Sequence, residues 1–291
     1  VIYILGMSFS GTTLLGYLLG AASDVVNAGE LKLYTRIHEM LADVRCSCGA
    51  SYLECSFWSQ IYRRGYDVFE LPSFSRMVAV ALRALLGPGS GERVSTETDD
   101  GKLLSSVLAL SRRREPGVRY VVDVSKSLWR LDHLARCPGI DLKVVYVRRG
   151  IRGNVASFVR RQFGFWKGLV IYLTQHYLAT RFLSRSDLDY VVVQYEDLCR
   201  DTQAVLDDVG QFLSVDYSDY LYKLAQTDYH VLAGNRGTQQ QFIQGFQQVR
   251  YDDRWMTTLN GWQKTLLDWL EPEAPEDLDT DDPAQETGAS H

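Results

Sequence analysis

The chain has 291 residues, 46% of them apolar, and a formal net charge of −5, which is enough for one large α/β domain or two small ones. Its last stretch, EPEAPEDLDTDDPAQETGASH (271–291), holds eight acidic and no basic residues, so the rest carries 31 basic against 28 acidic residues. That mildly basic body suits a small polyanionic ligand and argues against a nucleic-acid track; no run of the ~18 uninterrupted apolar residues of a membrane span occurs either.

Residues 1–5 form a continuous apolar run, as in a buried parallel strand. GMSFSGTTLL (6–15) follows, and then Leu at helical spacing up to Gly20. This order is strand, Gly-rich loop, helix. Gly6 and Gly11 keep the spacing of a nucleoside-triphosphatase loop, G-x-x-x-x-G-K-[ST], and Thr13 keeps its hydroxyl, but Thr12 stands where the lysine belongs. A row of backbone N–H groups at a helix N-terminus remains, with the hydroxyls of Ser10, Thr12 and Thr13. The charge that polarises a phosphoanhydride is gone, so a single phosphate is expected there rather than a triphosphate–magnesium unit.

DVVNAGEL (24–31) supplies a second short strand, with a helix expected from there through Met40. RCSCGASYLECSFW then clusters Cys46, Cys48 and Cys55, leaving Cys137 and Cys199 apart. Three readings of the cluster stand open: reduced thiols in a packed loop, one local disulfide, or a metal site whose fourth ligand comes from elsewhere. Helical segments rich in Trp, Tyr and Phe follow, and 87–102 reads as a loop. RYVVDVSKS (119–127), DLKVVYVRRG (141–150) and DLDYVVVQYEDL (187–198) are further strand-length runs, the first two followed by helical patterns. FWKGLVIYLTQHYLATRFL (165–183) reads as a long helix with one apolar face, and TLNGWQKTLLDWL as a closing helix. Residues 226–254 are rich in Gln, Gly and Tyr and weakly periodic, a length of loop that is usually functional or disordered. Strands alternating with helices predict a three-layer α/β/α fold around a parallel sheet, with ligands at the carboxyl ends of the strands. We expect one domain over 1–270, a covering loop over 226–254, a disordered acidic tail over 271–291 and a cytoplasmic location.

SGTTLL after an apolar strand resembles the 5′-phosphosulfate loop of sulfotransferases that use 3′-phosphoadenylyl sulfate (PAPS), a family of P-loop kinase-like architecture. Three further stretches are similar to that family. In VVYVRRGIRGNVASFVRRQ, Arg149 at a strand end and Ser157 eight residues on have the spacing of the 3′-phosphate motif, where a guanidinium fork and a hydroxyl two helical turns away grip one phosphate. Arg148 and Arg152 read more simply as surface charge. VVQYEDL resembles the segment whose Tyr lies near the adenine, which implies that role for Tyr195, beside the plainer reading of a core Tyr. HVLAGNRG resembles a bacterial His-x-x-x-Gly-Asn stretch and implies a lid over the 3′-phosphate carrying Asn235 and Arg236. Bacterial members also carry a loop similar to this Cys-x-Cys-Gly…Cys-x-Phe-Trp.

The resemblance implies PAPS as donor, with adenosine 3′,5′-bisphosphate (PAP) as product, held by residues 8–13 (Ser8, Phe9, Ser10, Gly11, Thr12, Thr13) and by Arg149 and Ser157, without any metal requirement. It implies Lys126 near the sulfuryl group. The His that cytosolic members carry two residues after this Lys is replaced by Leu128. In the tyrosylprotein and carbohydrate-type branches the base is a Glu at the end of the second strand, which points to Glu30, with apolar walls expected to raise its pKa. One departure stands out: Phe9 takes the place of the usual Lys or Arg ahead of Ser-Gly-Thr-Thr, a cation suited to the charge of the transition state. Phe9 motivates one rival to sulfuryl transfer onto a small-molecule hydroxyl or amine, a PAPS- or PAP-binding protein without chemistry; the shared fold leaves a second, a P-loop phosphotransferase, against which Thr12 speaks. Trp58, Tyr62, Phe163, Phe165 and Trp166 are candidate acceptor-pocket residues or core.

Overall fold

In the computed structural model, residues 1–38, 45–69, 98–246 and 248–271 are described. The order is β1 (Ile2–Gly6), α1 (Thr12–Leu19), β2 (Val25–Gly29), α2 (Trp58–Tyr62), α3 (Asp100–Arg114), β3 (Tyr120–Asp123), α4 (Leu128–Arg136), β4 (Lys143–Arg148), α5 (Ile151–Arg160) and α6 (Phe165–Leu183). Then come β5 (Tyr190–Gln194), α7 (Tyr195–Arg200), α8 (Thr202–Leu213), α9 (Tyr220–Gln226), α10 (Arg236–Ile243), α11 (Trp255–Thr258) and α12 (Gly261–Leu270).

The five strands form one sheet in the order β2-β3-β1-β4-β5. Every pairing is parallel, as the continuous apolar runs predict. Alternation along β1 sets the two faces. Tyr3 and Leu5 join Val121 of β3 and Tyr146 of β4 against α2, α3, α4 and the end of α6. Ile2 and Ile4 join Val122, Val145 and Val193 against α1, α8 and α9. The result is three layers. A third cluster, with Met7, Ile151, Val155, Phe165 and Leu267, packs α5, α6 and α12 together beside the carboxyl edge. No described helix is long and apolar enough to cross a membrane.

Parallel pairing puts all five strand ends on one edge. Read along the sheet, that edge carries Glu30 after β2, Lys126 after β3, the 7–13 loop after β1, Arg149 after β4 and Tyr195 after β5.

Some expectations change. After β2 the chain makes two 3-10 turns, Leu31–Leu33 and Thr35–His38, in place of an α-helix; Met40 lies outside the described residues. Lys32 N–H donates to Ser125 Oγ at 2.9 Å, and its Nζ to Ser125 O, so this segment is held by the neighbouring strand end. The loop expected over 87–102 ends earlier, since Asp100–Lys102 are the first turn of α3; residues 87–97 lie outside the described residues. Charge near a helix N-terminus looks like a loop in composition but suits the helix dipole. Within 226–254, α10 forms with Asn235 as its N-cap. Glu271, placed in the tail by the sequence, belongs to the fold: its carboxylate accepts from Ile151 N–H at 2.9 Å at the start of α5. The rest of the tail lies outside the described residues.

Candidate functional site

The 7–13 loop is built as a backbone cradle. Ser10 turns its hydroxyl inward onto Met7 O (2.7 Å), and Asn154 Nδ2 holds Ser8 O (2.8 Å). Gly11 is the N-cap of α1 at φ 89, with no side-chain cap, so the first N–H groups of the helix face out of it. A Cβ at Gly11 would stand 2.6 Å from the Tyr195 ring, so only glycine gives both the left-handed turn and the clearance. Thr12 and Thr13 are buried, and Thr13 Oγ1 accepts from Asn235 N–H at 3.3 Å.

Phe9 adopts φ 67, a conformation uncommon for a bulky residue. Its carbonyl is held by Arg149 Nη1 (2.8 Å), its ring meets Phe158 edge-on at 4.9 Å, and the Arg161 guanidinium lies 4.8 Å from the ring centre. A cation is thus carried onto Phe9 from α5's C-terminal end, where the family pattern puts one in the loop itself.

Arg149 and Ser157 come together as the spacing predicts. Arg149 Nη1 lies 3.4 Å from Ser157 Oγ, and Arg160, one turn further along α5, donates to the same oxygen at 3.1 Å. Both guanidiniums converge on a carboxylate of the chain itself. Asp252 Oδ2 is 2.8 Å from Arg160 Nη2 and 3.2 Å from Arg149 Nη2, while Oδ1 accepts from Arg254 at 2.7 Å. Burial alone would raise the Asp252 pKa, but Arg254, Arg149 and Arg160 hold it well below the usual carboxylate range. Arg149 Nε and Arg160 Nη1 are buried with no hydrogen-bond partner. Arg152 pairs with Asp268 of α12 and lies over Trp255, away from this cluster.

Tyr195 stands between the 7–13 loop and the Arg149–Ser157 cluster. It is buried, with Gly11 against its ring and the Arg149 guanidinium 4.5 Å from the ring centre. Asn235 meets Thr13, and its side chain caps α10 by accepting from Gly237 and Thr238; Arg236 opens that helix. Within the 226–254 segment, Asp252 reaches Arg149 and Arg160.

On the other side of the loop, Glu30 is 8% exposed and lies between two ammonium groups, Lys126 at 2.7 Å and Lys32 at 3.4 Å. The apolar walls expected from the sequence are replaced by this double ion pair. Burial pushes the Lys32 pKa down, against the pull of Glu30. Lys126 has φ 60, held by its neighbours: Ser125 N–H donates to Asp123 Oδ1 and Ser127 N–H to the Tyr3 hydroxyl, each at 3.0 Å. Glu30 N–H donates to Leu232 O at 2.8 Å, which ties it to the 230–233 segment.

Beneath Lys126 lies a buried charge network that the sequence reading left out. Arg130 is fully buried, with Nε 2.7 Å from Asp123 Oδ2 and Nη1 2.7 Å from Asp100 Oδ1, and His133 Nε2 lies 3.1 Å from Asp100 Oδ2. His133 is packed rather than placed for catalysis. Of the candidate acceptor residues, Trp58 is core and its Nε1 donates to His230 O, Phe165 is buried, and Phe163 and Trp166 are exposed. Arg160 and Lys32 were missed although local spacing signals both: one stands a helical turn after Ser157, the other two residues after Glu30. Asp252 carries no such signal, because Arg160 and Arg149, the partners that tie it to the site, lie 92 and 103 residues away.

No family model matches the sequence, and no curated protein matches it. Among solved structures, the sulfotransferase domain of the Synechococcus PCC 7002 olefin synthase aligns over 94% of this chain and 95% of its own, at 20% identity and a TM-score of 0.50. The sulfotransferase domain from the curacin biosynthetic pathway aligns over 94% and 98%, at 18% identity and a TM-score of 0.54. The chain has the sulfotransferase fold. Within that fold, the five strand ends that carry the candidate site are the edge where ligands of parallel sheets bind.

Proposed function

We propose that the protein is a PAPS-dependent sulfotransferase acting on a hydroxyl or amine of a small-molecule acceptor, with Glu30 as the base. The observation that carries the reading is the pair of anion sites on either side of Tyr195. One is the uncapped start of α1, and the other is the Arg149–Arg160–Ser157 cluster, whose buried donors Asp252 leaves partly unpaired. Two anion sites bridged by a buried aromatic fit a nucleotide phosphorylated at both ends of its ribose. A loop without the P-loop lysine fits one phosphate there better than a triphosphate.

When bound, the donor supplies a sulfuryl group already activated as a phosphosulfate anhydride. Thr12, Thr13 and the loop N–H groups would hold its 5′-phosphate, and Arg149, Arg160 and Ser157 its 3′-phosphate. Glu30 takes the proton of the acceptor's hydroxyl or amine as that group becomes the nucleophile, which requires the carboxylate to lie within hydrogen-bond reach of it. Lys126 and Lys32 keep that carboxylate in place. Lys126 also brings positive charge to the strand end beside the loop, where negative charge grows on the departing phosphate.

Phe9 supports the second reading, a protein that binds PAPS or PAP without transfer. A thermal-shift series with PAP, ATP and GTP, each with and without Mg²⁺, tests the donor site first. A ligand at ~100 times its Kd adds about 2.7 kcal/mol. A shift with PAP that needs no metal is expected, whereas a shift only with a triphosphate and Mg²⁺ would mean a phosphotransferase. Transfer from PAPS across an acceptor panel then separates the two remaining readings. Glu30→Gln should cut kcat about 100-fold or more and leave PAP affinity within about twofold; wild-type turnover in that variant would remove Glu30 as the base.

A further inference from the structure

Away from the anion sites, three cysteines and a histidine meet at one point. Cys46 Sγ and Cys55 Sγ are 3.6 Å apart, and Cys48 Sγ is 3.8 Å from Cys55 Sγ. His230 Nδ1 lies 3.2 Å from Cys55 Sγ and 3.8 Å from Cys46 Sγ, and all four atoms fall within 4.8 Å of one another. A tetrahedral zinc with Zn–S of about 2.3 Å and Zn–N of about 2.0 Å puts its sulfurs about 3.8 Å apart and its nitrogen about 3.5 Å from each. The observed edges scatter around those values. A disulfide would need about 2.05 Å between two sulfurs and would leave the third thiol and the imidazole without a purpose.

The surroundings support the same arrangement. Gly49, at φ 87, turns the chain so that its N–H donates to Cys46 O at 2.8 Å, which folds Cys46 and Cys48 onto one side of a tight loop. Cys46, Cys55 and His230 are buried, which suits a closed site without an open coordination position. His230 Nε2 lies 3.0 Å from Asp228 Oδ2, so donation to that carboxylate leaves the Nδ1 lone pair facing the sulfurs. Arg114 Nη1 reaches the same Asp228 oxygen at 3.0 Å and Arg114 Nη2 the Ser56 hydroxyl at 2.9 Å, holding the carboxylate in position. Arg114 Nη1 is also 2.6 Å from His230 Nε2. In the opposite tautomer, Nε2 would accept from Arg114 and Nδ1–H would point at Cys55, a thiol cluster without metal.

We propose that Cys46, Cys48, Cys55 and His230 form a structural zinc site that clamps the cysteine loop onto the segment that positions Glu30. That loop and that segment are already laced together. Ser47 Oγ donates to Tyr229 O (2.6 Å) and accepts from Val231 N–H (2.8 Å), and the Tyr52 hydroxyl accepts from Ala233 N–H (2.7 Å). Two residues beyond His230, Leu232 pairs with both Ala28 and Glu30 of the β2 end (3.1 and 2.8 Å). The metal is a staple and takes no part in sulfuryl transfer, so its test does not depend on that reading.

The test uses the full chain without a polyhistidine tag, purified reduced and without chelator. Elemental analysis should find one zinc per chain, and replacing zinc by Co²⁺ should give thiolate-to-cobalt charge-transfer bands and intense tetrahedral d–d bands. Cys48→Ser alters the exposed ligand and spares the buried packing; it should weaken zinc binding more than tenfold in a chelator competition, while Cys137→Ser leaves it unchanged. Zinc at background with no cobalt bands in the reduced, reconstituted chain would overturn the proposal in favour of the Arg114-bonded tautomer. A disulfide among the three cysteines would overturn it as well, and so would zinc held equally tightly by Cys48→Ser.

Discussion

Asp252 draws Arg149, Arg160 and Arg254 onto one carboxylate at 3.2, 2.8 and 2.7 Å, in the place where a bound phosphate would be gripped. On the proposed reading an anion entering there would have to displace it, so Asp252 would both stabilise the ligand-free chain and compete with the ligand. Hydrogen bonds to charged groups are worth about 1.5–3 kcal/mol net, and losing such a competitor is worth about tenfold in affinity if half of that is recovered. Asp252→Asn should therefore lower the melting temperature of the free chain and raise PAP affinity about tenfold in a calorimetric titration. A loss of affinity would mean that Asp252 orders the site and does not rival its ligand. The same comparison separates Asp252 from Glu30: the first acts on binding alone, the second on turnover.

Among the elements, α4 shows most clearly how packing sets the site. Its Arg130 bridges Asp123 at the end of β3 and Asp100 at the start of α3, with no part of the three side chains exposed. The Asp123 carboxylate also holds Ser125, next to Lys126. Removing one partner of a buried ion pair strands the others, at a cost of about 3–5 kcal/mol. Arg130→Met should thus lower the unfolding free energy by that much, read as a lower urea midpoint at an unchanged slope, and Arg130→Met combined with Asp100→Asn should recover part of it; equal losses in both would argue against charge stranding. None of this was visible in the sequence, where Asp100 belonged to an apparent loop and Arg130 was one helical cation among several. What local pattern records is legible: five apolar runs became five parallel strands, and the 165–183 periodicity became α6 with the same bounds. The Arg149–Ser157 pair was read through the family resemblance, and its local spacing, a strand end and two helical turns, lets the two side chains meet at 3.4 Å. Illegible were contacts across the chain, such as Ser125 taking the Lys32 N–H from 93 residues away, or His230 meeting Cys55 across 175. There, distant neighbours override the local preference.

For the molecule as a whole, the response to acid follows from which groups the fold has taken out of water. His176 of α6 is packed between the sheet and its own helix, stacked on Tyr172, with Nδ1 3.1 Å from the hydroxyl of Tyr146. Burial, with a smaller push from Arg148, brings its pKa down to about 4. The unfolded chain, with an ordinary imidazole near 6.5, binds that proton first. Stability therefore rises with pH through this window and is lost as pH falls from about 6.5 to about 4, by up to about 3 kcal/mol. Asp100 and Asp252 add a second, steeper loss. Burial opposes their charge, but His133 and Arg130 hold Asp100 down and the three arginines hold Asp252 down. Their stabilisation is present above the ordinary carboxylate range and disappears as pH falls below about 4. Unfolding free energy measured from pH 7 to 3 should then decline in two stages. His176→Phe, which keeps the ring and removes the titration, should flatten the first stage and leave the second. If the variant's profile parallels that of the parent chain between pH 6.5 and 4, the imidazole is not buried neutral, and the first stage has to come from another part of the fold.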